Sequence, residues 1–261
     1  MRLKLKLRCR PNSVISMNYT YALQAVIYKV LECADPTFSH WLHEKGYDAT
    51  GKNFKFFTFD LLRGYFRNDY DRKTIRFIDG NIEWLVSFCV DTTVEKFVTG
   101  LFQNQRLEIV TPDGRLDCDV QSVEIIPPPV FKNNMRFKAI MPICISEKTD
   151  SDKYAQYRAP DHAHFEKLFF SNIENKYKAA HPAEATDATS PMPHSLTILS
   201  EPRKKGFTTY KRTLERPTQT IGYTFDFELK APAEWLKVAY FGGFGKSCSS
   251  GFGFCEVIEV K

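Results

Sequence analysis

Residues 2–9 alternate without a break, with Leu3, Leu5, Leu7 and Cys9 on one face and Arg2, Lys4, Lys6 and Arg8 on the other. A period of two predicts a half-buried β-strand, here with a wholly cationic wet face suited to phosphate contact. The period then changes. Over residues 19–34, Leu23, Val26, Ile27, Val30, Leu31 and Ala34 recur at helical spacing, which leaves Tyr21, Gln24, Tyr28 and Glu32 off the apolar stripe. Asp35-Pro36 interrupts this helix and starts another, because Asp suits an N-cap and Pro a first helical position. The second helix turns Phe38, Trp41 and Leu42 inward, and Gly46 stops it. The pattern predicts strands at 54–62 and 82–90, a helix from Asp91 as N-cap to residue 103, and a strand at 106–110.

The order repeats further on. A strand at 120–126 leads into Pro127-Pro128-Pro129. Then come a strand at 136–145, a helix at 161–179, strands at 196–199, 207–214 and 220–230, a helix at 232–241 and a strand at 252–260. Residues 147–160 and 181–194 read as polar loops. Strand-helix-strand-strand-helix-strand, taken twice, predicts an α+β protein of two tandem ferredoxin-like (RRM-like) βαββαβ domains. The expected domains are residues 1–118 and residues 119–261, the second carrying a Gly-rich loop. Each half is small, so the two are expected to pack into one body.

Composition narrows the class. The chain has 261 residues, 43% of them apolar, and 22 Phe, enough for a substantial core. A net charge of +5 permits a nucleic-acid partner without demanding one. The seven Cys form no CxxC, and five lie in apolar runs; they read as small buried hydrophobes of a reduced protein. No signal peptide and no long apolar window are visible, so a soluble, cytoplasmic protein with no membrane contact is expected.

The densest local signal is Gly242-Gly243-Phe244-Gly245-Lys246-Ser247-Cys248-Ser249-Ser250-Gly251-Phe252-Gly253, with five Gly in twelve residues and no acid. Such a backbone can approach a partner closely and turn successive N–H groups toward an anion. Gly243, Gly245, Lys246, Gly251 and Gly253 are therefore candidate RNA-binding residues. A nucleotide P-loop is excluded: position 240 is Tyr where that motif needs Gly, and a helix precedes the loop where a strand should. A second cluster, Arg203, Lys204, Lys205, Lys211, Arg212 and Arg216 with interleaved Phe207 and Tyr210, fits a cationic ribbon beside a nucleic-acid strand. Of six His, His162, His164, His181 and His194 lack a metal-ligand pattern and read as surface residues. His40 and His43 face away from the core of the short helix, and His43 lies in its last turn. Tyr28, Lys45, Lys52 and Lys55 are available nearby. A positioned His that moves protons, and a Lys that stabilises a phosphorane-like charge, suit metal-free cleavage of RNA, whose 2′-hydroxyl supplies the nucleophile. No cofactor is called for.

The chain resembles the CRISPR-associated repeat-cleaving endoribonucleases of the repeat-associated-protein superfamily. The resemblance runs over nearly its whole length: the basic-apolar first strand, Ile27-Tyr28-Lys29, Trp41-Leu42-His43-Glu44, Lys55-Phe56-Phe57-Thr58-Phe59, Val123-Glu124-Ile125-Ile126-Pro127-Pro128, and Ser250-Gly251-Phe252-Gly253. It implies two ferredoxin-like domains and metal-independent cleavage of precursor CRISPR RNA within the repeat, leaving a 5′-hydroxyl and a 2′,3′-cyclic phosphate. It implies Tyr28, His43 and Lys55 as the catalytic set, with Lys52 a rival for the Lys and His40 for the His. Some members bind RNA without cutting, so a non-catalytic RNA-binding subunit is the alternative. The partners implied are CRISPR repeat RNA and a CRISPR effector complex, for a monomer or homodimer.

Overall fold

The computed structural model describes residues 1–149, 152–182, 193–209 and 218–258. It is a mixed α+β structure. The first half runs β1 (Arg2–Cys9), β2 (Ser13–Ser16), α1 (Thr20–Ala34), α2 (Pro36–Glu44), β3 (Tyr47–Ala49), β4 (Lys52–Phe54), β5 (Phe57–Phe59), β6 (Arg63–Asp69), β7 (Thr74–Phe88), α3 (Asp91–Asn104), β8 (Arg106–Thr111) and β9 (Gly114–Ile126). Seven of these strands form one sheet, ordered β2-β7-β1-β9-β8, with β5 and β6 also pairing β7. Leu3, Leu5 and Leu7 of β1 point into the core, where the α1 stripe of Leu23, Val26, Ile27, Val30 and Leu31 meets them. Helices α1 and α3 cross at backbone contact: a Cβ on Gly100 would lie 1.9 Å from the Val30 carbonyl oxygen. Asp35 caps α2 by accepting from the Phe38 N–H at 2.9 Å, and its other oxygen pairs with Lys96 at 2.6 Å. Gly46 ends the turn at φ +69°.

The second half runs β10 (Asn134–Ala139), β11 (Ser146–Glu147), β12 (Gln156–Tyr157), α4 (Phe165–Ala180), β13 (Ser195–Ile198), β14 (Arg203–Thr209), β15 (Thr218–Thr224), β16 (Asp226–Lys230), α5 (Ala233–Gly242), a 3-10 turn at Cys248–Ser250 and β17 (Cys255–Val257). The sheet order is β13-β16-β10-β17. Its core is rich in aromatic rings, with Phe137, Phe169, Phe227 and Phe244 fully buried.

Several expected elements take a different form. The strand read at 54–62 is the end of a β3–β4 hairpin followed by the three-residue β5. Strand β7 starts at Thr74, eight residues before the expected Ile82, because it forms a hairpin with β6. The strand read at 136–145 ends at Ala139. The strand read at 120–126 is the last part of β9, which pairs with β1 from Cys118 through Ile126, so a boundary after residue 118 falls inside a strand. Asp91 is the first residue of α3, and Val90 takes the cap position.

The two halves meet over the C-terminal loop. Thr58 donates to the Phe252 carbonyl at 2.8 Å and Ser87 to that of Phe241 at 2.9 Å. Arg2 closes the junction. Its guanidinium is stacked 3.5 Å from the Tyr240 ring centroid and 4.2 Å from that of Phe254, and donates to the carbonyls of Tyr240 at 2.8 Å and Cys255 at 2.6 Å. Burial lowers its pKa to about 10. The wet cationic face expected for β1 is therefore corrected: Arg2 is interior, and Lys4 and Lys6 both pair with Glu124, at 2.9 and 2.6 Å.

Candidate functional site

The α1–α2 corner brings two of the proposed catalytic side chains together. Tyr28 lies off the α1 stripe and His43 in the last turn of α2, and their rings meet edge to face with centroids 4.9 Å apart. The corner is fixed from beneath, where Ser39 of α2 donates to the Tyr28 carbonyl at 3.0 Å and the Tyr28 ring packs on Phe57. Both residues open on a groove of about 380 Å³ lined also by Tyr21, Gln24 and Glu32. Burial pushes the Tyr28 hydroxyl well above the ordinary tyrosine range, so the phenol is held protonated. His43 is exposed, and its Nδ1 lies 2.8 Å from Glu44 Oε1, which leaves Nε2 for a substrate. The same contact holds Glu44 below the usual carboxylate range.

Lys55 completes the trio. Its Nζ donates to the His43 carbonyl at 2.7 Å, within the unpaired end of α2. Burial lowers its pKa, and Glu44 opposes that shift. His40 is exposed on the same helix but makes neither contact. Lys52 lies with Lys55, Lys246, Ser247 and Ser249 along a second groove of about 350 Å³. The Gly-rich loop separates the two grooves: Ser249 lines one, and Ser250 reaches Gln24 of the other at 3.4 Å.

The loop's glycines have a different use from the one expected. Gly243, Gly245, Gly251 and Gly253 are all buried, with φ between +71° and +86°. A Cβ at Gly253 would lie 2.0 Å from the Phe244 carbonyl oxygen, and at Gly245 2.6 Å from that of Cys144. At Gly243 and Gly251 the nearest neighbours are the Cys248 and Phe59 side chains, so the four glycines serve the close packing of the loop itself, and contact of this loop with RNA stays a proposal. Lys246 is anchored too. Its N–H donates to the Cys144 carbonyl, and its Nζ donates at 2.6 Å to the Ser146 carbonyl. It remains exposed along part of its length beside Ser247.

Sequence reasoning does not find the residue that holds the loop in place. Lys176 of α4 is only 3% exposed, and its ammonium donates to the carbonyls of Gly243 and, at 2.7 Å, Gly245, with Cys248 Sγ at 3.2 Å. A lysine in an amphipathic helix carries no sequence mark of such burial.

Arg203, Lys204 and Lys205 are exposed on β14, as expected of a cationic ribbon. Phe207 packs on Phe252 of the Gly-rich loop, with centroids 5.2 Å apart, so its ring is not free to stack on a base. Lys211, Arg212, Arg216 and Tyr210 lie outside the described residues. His162 and His164, read as lacking a metal-ligand pattern, lie beside a carboxylate distant in sequence: Glu147 is 3.2 Å from His164 Nδ1, and ligand atoms of the three gather within 4.8 Å. Arg158 already pairs with that carboxylate at 2.6 Å, which commits it to an ion pair.

Comparison with known proteins bears on the chain as a whole. The family described as CRISPR associated protein Cas6, C-terminal, matches residues 126–257, and CRISPR-associated protein Cas6, N-terminal, matches residues 14–116. A CRISPR-associated endoribonuclease Cas6 of Methanocaldococcus jannaschii is 28% identical over 100% of this chain and 94% of its own length. A solved structure of a CRISPR associated protein Cas6 superposes with a TM-score of 0.74 at 25% identity, covering 99% of each chain. Another, described as a RAMP protein binding different RNA substrates, superposes at 0.79 with 17% identity, over 99% of this chain and 100% of that one. The fold and the sequence together define a CRISPR-associated protein. Within that class, the chain belongs to the Cas6 family.

Proposed function

We propose that this protein is a metal-independent endoribonuclease that cleaves CRISPR repeat RNA within precursor transcripts. The observation that carries the reading is the α1–α2 corner, where the Tyr28 and His43 rings meet and Lys55, from the neighbouring groove, donates to the His43 carbonyl. The activity is supported by the M. jannaschii relative, itself a CRISPR-associated endoribonuclease, and RNA as ligand by the RNA-binding RAMP protein that shares the fold. In the reaction, the 2′-oxygen forms a bond to phosphorus as the bond from phosphorus to the 5′-oxygen breaks. The products are a 2′,3′-cyclic phosphate and a 5′-hydroxyl. His43 Nε2 exchanges protons with the reacting oxygens. Tyr28, held protonated, donates a hydrogen bond or a proton. Lys55 stabilises charge on the non-bridging oxygens.

The fold reading belongs with this. In the second half, β10, α4, β13, β16, α5 and β17, with β11, β12, β14 and β15 as additions and the sheet order β13-β16-β10-β17, support the reading of a ferredoxin-like unit. In the first half, β1-α1-β5-β7-α3-β9 follows the same scheme, with β9 beside β1 and β7 beside both β1 and β5. We place the junction of the two domains at the proline run after Ile126. Arg203, Lys204, Lys205, Lys246 and Ser247 form the proposed RNA-facing surface, and the product passes to a CRISPR effector complex. No described helix is long and apolar enough to cross a membrane; the protein is proposed to act in the cytoplasm.

The deciding experiment is cleavage of the host's own repeat RNA in excess EDTA, comparing wild type with His43→Ala and a substrate carrying 2′-deoxy at the scissile position. Metal-free cutting lost with either change is the expected result. Tight binding without cutting by any form makes the chain a non-catalytic RNA-binding subunit.

A further inference from the structure

The β6–β7 hairpin has no part in the site formed by Tyr28, His43 and Lys55, and its composition is unusual for a sheet edge. All seven residues of β6 are exposed. Tyr65 is 57% exposed, Phe66 40%, and Tyr70, just beyond the strand, 73%. Residues 63–76 contain five basic side chains, Arg63, Arg67, Arg72, Lys73 and Arg76, against Asp69 and Asp71.

The register sets Arg67 of β6 directly opposite Arg76 of β7. Like charges placed so oppose pairing of the strands. Among the described residues neither pairs with a carboxylate; Arg76 has only a 3.4 Å contact to the Asn12 carbonyl. Both line an open groove of about 1220 Å³ with Tyr70 and Arg72, a groove that Asp69, Asp71 and Asp113 also line; Asp69 pairs with Arg72, which leaves Arg67 and Arg76 as its cations without a carboxylate partner among the described residues. Charged side chains are a common guard of an edge strand, but that role does not account for exposed aromatic rings beside them.

The hairpin also adjoins the proposed RNA surface. The Met17 N–H donates to the Lys73 carbonyl at 2.7 Å, and the side-chain amide of the next residue, Asn18, donates to the Thr208 carbonyl of β14. Two residues thus join the two cationic hairpins.

We propose that the β6–β7 hairpin is a second binding site for single-stranded RNA, continuous with β14, in which Arg67 and Arg76 take phosphates and Tyr65 and Tyr70 stack on bases. Opposed arginines suit phosphate because its charge turns their repulsion into attraction, and exposed rings accept any base. This inference rests on the RNA-binding reading of the protein.

The test measures fluorescence-anisotropy binding of a 5′-labelled 20-nucleotide single-stranded RNA, and of the host's repeat RNA, by wild type, Arg67→Ala/Arg76→Ala and Arg203→Ala/Lys204→Ala, over a salt series. Circular dichroism checks that each folds. The expected result is at least fivefold weaker binding by the Arg67/Arg76 variant, with a salt slope shallower by about 1.4, or about 0.7 for each phosphate no longer neutralised. Crosslinking of wild type to 4-thiouridine RNA is expected to label Tyr65 or Tyr70. Normal binding by this variant together with weakened binding by the Arg203/Lys204 variant overturns the second site and leaves the RNA reading standing. Crosslinks confined to other segments overturn it too. Wild type that binds neither RNA overturns both.

Discussion

The ammonium of Lys55 is bonded at 2.7 Å to the carbonyl oxygen of His43. A cation thus closes the C-terminal end of the helix that carries the proposed acid–base residue, where the helix dipole is negative. The contact places the charge within one residue of the imidazole and fixes the approach of the 52–57 segment to α2. Lys55→Ala is expected to lower single-turnover cleavage by about 10²–10³-fold, the range seen when one transition-state donor is removed, with RNA affinity little changed. Lys52→Ala is expected to stay within a few-fold of wild type. The reverse ranking in the same assay transfers the role to Lys52.

Tyr28 makes a prediction about pH. Its hydroxyl is pushed upward by burial, so the phenolate is scarce at any pH at which RNA survives. In the proposed mechanism it therefore acts in its protonated form. Tyr28→Phe is expected to slow cleavage by about 10–10³-fold while leaving the shape of the pH–rate profile intact. Disappearance of the rising limb in this variant would assign Tyr28 as the base.

Lys176 couples the fold to the site. Lys176→Met leaves the carbonyls of Gly243 and Gly245 buried without their donor. Stability is expected to fall by about 2–4 kcal/mol in urea unfolding. Hydrogen exchange at residues 243–251 should rise more than in either sheet. Uniform loss of protection across the chain would show that Lys176 supports the whole fold and not the loop in particular.

Gly100→Ala reverses a familiar sign. In an open helix this change stabilises by about 1 kcal/mol. Here the new Cβ meets a main-chain oxygen of α1 at 1.9 Å, which cannot rotate aside. A loss of about 1–3 kcal/mol is expected. A thermal melt that shifts upward would mean α1 and α3 are free to separate.

Arg2→Ala removes a donor from two buried carbonyls and a plane from between two rings. The expected loss is about 2–5 kcal/mol. Lys4→Ala, on the same face but paired with Glu124 at the surface, should be close to neutral. Equal losses in the two variants would argue against burial as the cause.

What the sequence discloses is local. Helix α1, the Asp35 cap and the stop at Gly46 follow from periodicity and cap chemistry within a few residues. The placement of Tyr28 and His43 on non-core faces of successive helices follows from the same spacing. Arg2 escapes the pattern because its partners lie in the other half of the chain, and alternation alone cannot say what covers a strand's second face. The β6–β7 hairpin escapes it because β6 buries neither face, so it has no alternation to detect. The glycines of the C-terminal loop mark an unusual backbone correctly, but whether the close neighbour is a ligand or protein is decided by tertiary contacts such as those of Cys144 and Phe244.

The Arg2 clamp bears on the order of events at the ribosome. Its two acceptors lie 238 and 253 residues further along the chain. While the protein is being made, the first sheet can assemble around β1, yet the cation at its start has neither of its carbonyl partners until Tyr240 and Cys255 have been added. The N-terminal half therefore waits, water-facing at this edge, for β17 to arrive. A ribosome stalled before residue 240 would present a chain with an open seam at Arg2, a state to which chaperones and proteases have access and the finished protein does not return without unfolding.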